Sequence, residues 1–373
     1  MIQNQFTYNN ILVIGGGNIG TQIACQCASK GLSVTILSSK PEAYDGTLEI
    51  INEHNEKTCG KIKLITNSLR DAIKDQEIIF VTYPSFKFEQ LADDILPYIR
   101  PGIIICVMPG TGGAEFSFRK CIKVGAILCG LQRVPSVARL IQYGKSVKCE
   151  GLRKELFLAS IPHFASDNVA LFLSQLWNIP CHVLPNYLNV TLTPSNPILH
   201  TARLKTMFSD YIPGKTYCRN PLFYGEWTME ASELLIKQDY ELQNICSKLK
   251  KLDLSYVRSL KLHYESNTSL DMTNKLKSIK SLNHLYSPLK QISNNCWIPD
   301  FESRYFTADF PYGLAIIEEL AKIVDLETPN ISETMNWFKK ITNYDNYFNL
   351  SYYGINNICL LYTSPSPRDS TSS

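Results

Sequence analysis

No apolar stretch in this chain approaches the roughly 18 residues that suggest a membrane span. No basic run is long enough for a nucleic-acid footprint, and the net charge is only +3. No C-x-x-C pair occurs among the twelve cysteines. The nearest pair, Cys25 and Cys27, stands at C-x-C spacing inside an expected helix, so neither a zinc site nor any other metal centre is expected. The N-terminus lacks the basic region of an export signal, which predicts reduced thiols and a cytoplasmic location. Charged residues make up 19% against 45% apolar, which fits a large core, and 373 residues are enough for two domains.

What the chain does have is a phosphate-binding turn near its start. The apolar run Ile11-Leu12-Val13-Ile14 leads into Gly15-Gly16-Gly17-Asn18-Ile19-Gly20, and a helical segment, residues 21–30, follows. Strand, glycine turn and helix N-terminus form the dinucleotide fingerprint. Gly15 permits the turn, Gly17 lets backbone approach the pyrophosphate, and Gly20 lets the helix pack on the strand. Asn18 and Ile19 lie in the same turn and join the cofactor contacts.

The next strand, residues 32–37, ends at Ser38-Ser39-Lys40. An Asp or Glu there would hold the ribose 2′-hydroxyl of NAD. Two hydroxyls and a cation suit a 2′-phosphate better, so the expected cofactor is NADP(H), with NAD(H) as the second choice. Strand and helix signals keep alternating through runs at 63–66, 77–82, 103–107 and 126–129. Continuous apolar runs of this kind suit strands covered on both faces. Tyr83-Pro84 and the loop Pro109 to Gly113 fall at strand carboxyl ends, where open α/β sheets bind ligands. Tyr83 and Pro84 are therefore expected to touch the cofactor. Residues 147–149 and 155–160 read as an edge hairpin, and Arg133 and Arg139 as candidate clamps for a substrate carboxylate.

After about residue 180 helical patterns take over, at 188–211, 228–250 and 313–325, with a loop at 293–299. The expected fold is α/β: a Rossmann-type doubly wound parallel sheet over 1–180, then an all-α domain over 181–359 that closes over the nucleotide. The last residues, 360–373, read as a tail foreign to the fold.

The helical half carries two further motifs: Asn196-Pro197-Ile198-Leu199-His200, and the segment from Arg304 through Asp309, Pro311 and Gly313-Leu314. Here the chain resembles the opine dehydrogenases of the octopine/nopaline type. The resemblance implies a His–Asp dyad at His200 and Asp309, and Arg304 contacting a substrate carboxylate; Asn196 joins the substrate contacts. It also implies reductive condensation of an amino acid with an α-keto acid. His200 would then serve as general acid/base, and Asp309 would fix its tautomer. Asp309 is equally placed to cap the apolar helix that follows. The expected partners are these small molecules, with neither nucleic acid nor membrane, and a homodimer is compatible with the sequence. Two other functions fit the same fingerprint. One is a 2-keto acid reductase resembling ketopantoate reductase or glycerol-3-phosphate dehydrogenase, whose key lysine would be Lys205. The other is a dinucleotide sensor without chemistry.

Overall fold

The computed structural model describes residues 6–353 and Tyr362. The chain divides into two compact units, one reaching to Thr191 and including Tyr362, the other beginning at Leu192.

In the first unit the apolar runs do form strands, with two further strands between them: β1 (Asn10–Ile14), β2 (Ser33–Leu37), β3 (Thr47–Asn52), β4 (Lys57–Lys61), β5 (Leu64–Thr66), β6 (Ile78–Val81), β7 (Ile104–Val107) and β8 (Ile127–Leu131), β3 and β4 being the two without an apolar run. They are followed by β9 (Val137–Gln142), β10 (Ser146–Glu150), β11 (Leu156–Ile161) and β12 (Cys181–Val183). Eight of these make one sheet in the order β12-β11-β8-β7-β6-β1-β2-β5. The strands β5, β2, β1, β6, β7 and β8 run parallel, while β11 is antiparallel to β8. Every residue of β6 and β7 is buried, as strands covered on both faces require. The chain leaves β1 towards β2 on one side and returns through β6 on the other. That reversal is the switch point at which such sheets open a ligand crevice. The helix Asn18–Ser29 packs Ile23, Ala24 and Cys27 into the core.

Two expectations need correction. Residues 147–149 do not pair with residues 155–160 as an edge hairpin. β10 pairs with β9 and β3 in a separate four-stranded sheet, β4-β3-β10-β9, whereas β11 joins the main sheet beside β8. The strands β3 and β4 were not foreseen, because they alternate or are largely polar and exposed on one side. The unit boundary also falls later than residue 180. Tyr187, Asn189 and Thr191 remain bonded to the first unit. The Tyr187 hydroxyl donates to Gly110 O at 3.1 Å, Gln132 donates to Asn189 O at 2.8 Å, and the Thr191 hydroxyl donates to the buried Glu115 carboxylate at 2.5 Å.

The second unit is helical, built from Leu199–Met207, Met229–Lys248, Ser269–Ser278, Ala315–Ile323 and Pro329–Thr342. Thr228 and Thr268 cap two of these helices through their hydroxyls, Thr268 in a full capping box with Asp271. Glu241 accepts from the backbone N–H groups of Asn330 and Ile331, closing the N-terminus of Pro329–Thr342 against the long helix. Phe310 stacks on Phe338 at 4.4 Å in the core. The expected loop at 293–299 is instead largely a hairpin, β13 (Leu289–Ser293) and β14 (Cys296–Pro299), turning through Asn295 at φ 52°. Asn at a left-handed turn position permits that reversal, so the domain is helical with one small hairpin. The foreign-looking tail at 360–373 lies outside the described residues apart from Tyr362, whose hydroxyl donates to Glu115 at 2.7 Å.

Candidate active site

The glycine turn follows β1 directly at the switch point. Gly15 adopts φ +110°, a conformation that strains any side chain. A Cβ on Gly20 would stand 1.8 Å from Gly15 O, so the helix can lie against the turn only as glycine. A Cβ on Gly17 would meet nothing within 4 Å, leaving an open approach to backbone. A closed turn, an open approach and a free helix start together fit a dinucleotide pyrophosphate. Asn18 begins the helix, but its side-chain oxygen accepts from Leu140 N at 2.8 Å, tying the turn to β9. Ile19 packs against the core. Both therefore offer backbone rather than side chain to a ligand.

Ser38 is buried at the end of β2, sharing a 2.9 Å hydrogen bond with the Tyr143 hydroxyl and accepting from Lys40 N at 3.1 Å. Ser39 and Lys40 are exposed beside it. Sequence reasoning missed Tyr143 and its edge-to-face partner Tyr44, 5.7 Å apart. Nothing local marks either residue, since each arrives from the second sheet's connections. Tyr83 and Pro84 follow β6; the Tyr83 ring would lie 3.2 Å from a Cβ on Gly15, and Lys87 sits over its outer face at 5.3 Å. Burial pushes the phenols of Tyr44 and Tyr83 up. Arg133 is half-buried just past β8, and Arg139 is exposed on β9, donating to Ala138 O at 2.9 Å.

In the second unit, two motifs 109 residues apart in sequence meet. Asn196 is exposed, and its carbonyl accepts from His200 N at 3.1 Å, opening the turn that carries the imidazole. Pro311 has no N–H for the carbonyl four residues back, and the helix widens there into a π-turn, Phe310–Leu314. The Leu314 N–H reaches back to Asp309 O at 2.8 Å. A Cβ on Gly313 would stand 2.8 Å from the Pro197 side chain, so this glycine lets the π-turn pack on the Asn196-Pro197 corner.

That packing sets Asp309 Oδ2 2.7 Å from His200 Nδ1. The side chains are only 13% and 14% exposed, so the pair is screened less than a surface ion pair. The Asp309 carboxylate makes no cap to the following turn. His200 Nε2 meets the Tyr224 hydroxyl at 2.8 Å, and the Tyr305 ring lies 4.7 Å from the imidazole. In the sequence Tyr224 is one of several aromatics of the helical half that suit either helix packing or a pocket for a bulky amino acid, and nothing there pairs it with the imidazole. Arg304, one turn before Asp309, is exposed and makes no ion pair among the described residues. Lys205 is engaged elsewhere, 3.3 Å from Glu333 and over the Trp337 ring at 5.9 Å. Of the other histidines, His163 bonds Leu184 O at 3.1 Å and His182 pairs with Glu155 at 3.2 Å. Among the described residues no cluster of His, Cys, Asp and Glu could hold a metal ion, and no helix is long and apolar enough to cross a membrane.

Comparison with known proteins finds similarity in both units. The family described as NAD/NADP octopine/nopaline dehydrogenase, alpha-helical domain, matches residues 183–342, and an NADP oxidoreductase, coenzyme F420-dependent, matches residues 10–110. The tauropine dehydrogenase of Arabella iricolor is 26% identical, covering 75% of each chain. The opine dehydrogenase of Haliotis discus hannai is 26% identical over 88% of this chain and 89% of its own. A solved octopine dehydrogenase in complex with NADH and agmatine superposes with a TM-score of 0.82 at 20% identity, covering 96% of this chain and 98% of its own. The chain is thus similar, through both of its units, to the opine dehydrogenases, which are NAD(P)-dependent oxidoreductases acting on CH–NH donors.

Proposed function

We propose that this protein is an NAD(P)H-dependent opine dehydrogenase in which His200 is the general acid/base and Asp309 its partner. The observation that carries the reading is the 2.7 Å contact between His200 Nδ1 and the Asp309 carboxylate. The dinucleotide is held by the backbone of Gly15, Gly17, Asn18, Ile19 and Gly20, with Tyr83 and Pro84 beside the turn. Ser38, Ser39 and Lys40 stand at the adenosine ribose, and their hydroxyls and cation favour a 2′-phosphate, hence NADP(H). When bound, the cofactor supplies the hydride that reduces the imine carbon.

The chain's own residues handle protons and carboxylates. Asp309 accepts a hydrogen bond from the Nδ1–H, which stays on the ring and leaves Nε2 as the working nitrogen of His200. Nε2 takes a proton from the attacking amine and returns it to the carbinol oxygen, which leaves as water and yields the imine. Positioned acid–base catalysis of this kind contributes on the order of 10²–10⁴-fold. The exposed Arg304 guanidinium is the proposed partner of a substrate carboxylate, with Arg133 as a second and Asn196 as a polar contact. Free thiols throughout the described residues favour the cytoplasm as the working compartment.

The 2-keto acid reductase reading needs a free lysine, and Lys205 is already paired with Glu333. The test is NADPH oxidation with pyruvate or another keto acid, with and without a panel of amino acids. Oxidation that depends on the amine is expected. Equal oxidation by the keto acid alone would replace this reading with the reductase, and tight NADPH binding without turnover would replace it with a sensor.

A further inference from the structure

The geometry points to Tyr224 as a proton relay between His200 and the substrate, a role that rests on the His–Asp reading above. Both ring nitrogens of His200 are occupied: Nδ1 by Asp309 and Nε2 by the Tyr224 hydroxyl at 2.8 Å. With the Nδ1 proton held by the carboxylate, neutral His200 presents a lone pair at Nε2, so the phenol donates to it. Any proton that enters or leaves Nε2 therefore displaces Tyr224 or passes through it.

Displacement is opposed by how the tyrosine is held. Tyr224 is 6% exposed, stacked on Trp227 at 6.1 Å and packed edge-on to Phe223 at 5.0 Å. The loop that carries it is pinned by Arg203, whose guanidinium donates to Phe223 O at 3.3 Å and Glu226 O at 2.7 Å and lies over the Trp227 ring at 5.7 Å. Arg203 sits on the helix Leu199–Met207, three residues after His200. One helix thus fixes the imidazole and, through Arg203, the loop that sets the phenol against it. A tyrosine clamped in this way transmits protons and does not swing aside.

The relay balances. Imidazolium donates from Nε2 to the Tyr224 oxygen while the phenol hydrogen passes to the substrate oxygen or nitrogen. The products are neutral His200, an intact phenol still donating to Nε2, and a protonated substrate. The resting structure matches the state after transfer. In the reverse direction the same two protons move back, so no phenolate accumulates.

Tyr224→Phe tests this. The expected result is a fall in kcat of about 10²-fold, with the NADPH Kd within twofold of wild type and an unchanged circular dichroism spectrum. A second variant carrying 2,3-difluorotyrosine at position 224 keeps the shape but makes the phenol more acidic. The relay predicts a shifted kcat–pH profile for it, whereas a merely structural hydroxyl predicts the wild-type profile. A Tyr224→Phe kcat within threefold of wild type, or an unshifted profile in the fluorinated protein, overturns the relay. His200→Ala separates the two levels: if it stays active, the acid/base assignment itself fails. If it is inactive while Tyr224→Phe is near wild type, only the relay fails.

Discussion

The two units build their sites from different materials. The first uses mainly backbone: the glycine turn and helix start of Gly15–Gly20, contiguous in sequence, beside the ends of β2 and β6. The second uses side chains from distant segments, His200 with Asp309 and Tyr224, brought together by packing. A backbone site tolerates change everywhere except where a Cβ would intrude. A side-chain site fails when a single atom is removed.

The largest effect expected from breaking this contrast comes from His200→Ala. It should lower kcat by about 10²–10⁴-fold while leaving the NADPH Kd within twofold, measured by turnover and by fluorescence titration. Gly20→Ala should do the reverse. Its Cβ would stand 1.8 Å from Gly15 O, so nucleotide affinity should drop below detection in the same titration. Overpacking of this kind typically also costs about 1–3 kcal/mol of stability, readable as a lower Tm.

Lys40→Ala sharpens the comparison at the nucleotide end. NADPH affinity should fall about tenfold while NADH affinity changes little, as expected when one charged hydrogen bond to a phosphate is lost. Equal loss for both cofactors would place Lys40 away from the 2′-position.

Glu115 offers a smaller, pH-dependent effect on the fold itself. Burial is the main reason its carboxyl is pushed up to about 7 from the ordinary 4.5. The unfolded chain gives up this proton first, so the stability it contributes is full below 4.5 and is lost as pH rises through 7. Its removal by Glu115→Gln should therefore raise Tm at pH 8 relative to wild type and flatten the pH dependence between 4.5 and 7. At about 1.4 kcal/mol per pKa unit, the upper bound is roughly 3 kcal/mol. Lys205→Ala should have the least effect, a kcat within threefold of wild type, because its ammonium is committed to Glu333.

Much of the first unit was legible because its signals are local. Apolar runs such as Ile78–Val81 are buried on both faces, and the fingerprint needs only its own six residues. The four-stranded sheet was not legible. Thr47–Asn52 and Lys57–Lys61 are partly polar, and what makes Ser146–Glu150 pair with Thr47–Asn52 is long-range. The dyad was readable by resemblance, yet nothing in residues 221–228 announced that Tyr224 would meet Nε2 rather than simply fill core.

Taken alone, the order of residues determined the glycine turn, the alternating strands and helices, and the two motifs of the helical half. These depend on neighbours within a few positions, where sterics and apolar period act directly. Which nitrogen meets which oxygen was decided only in three dimensions. Gly313 against Pro197 and the Arg203 clamp are contacts between separate segments, and they set distances to tenths of an ångström that no local pattern encodes.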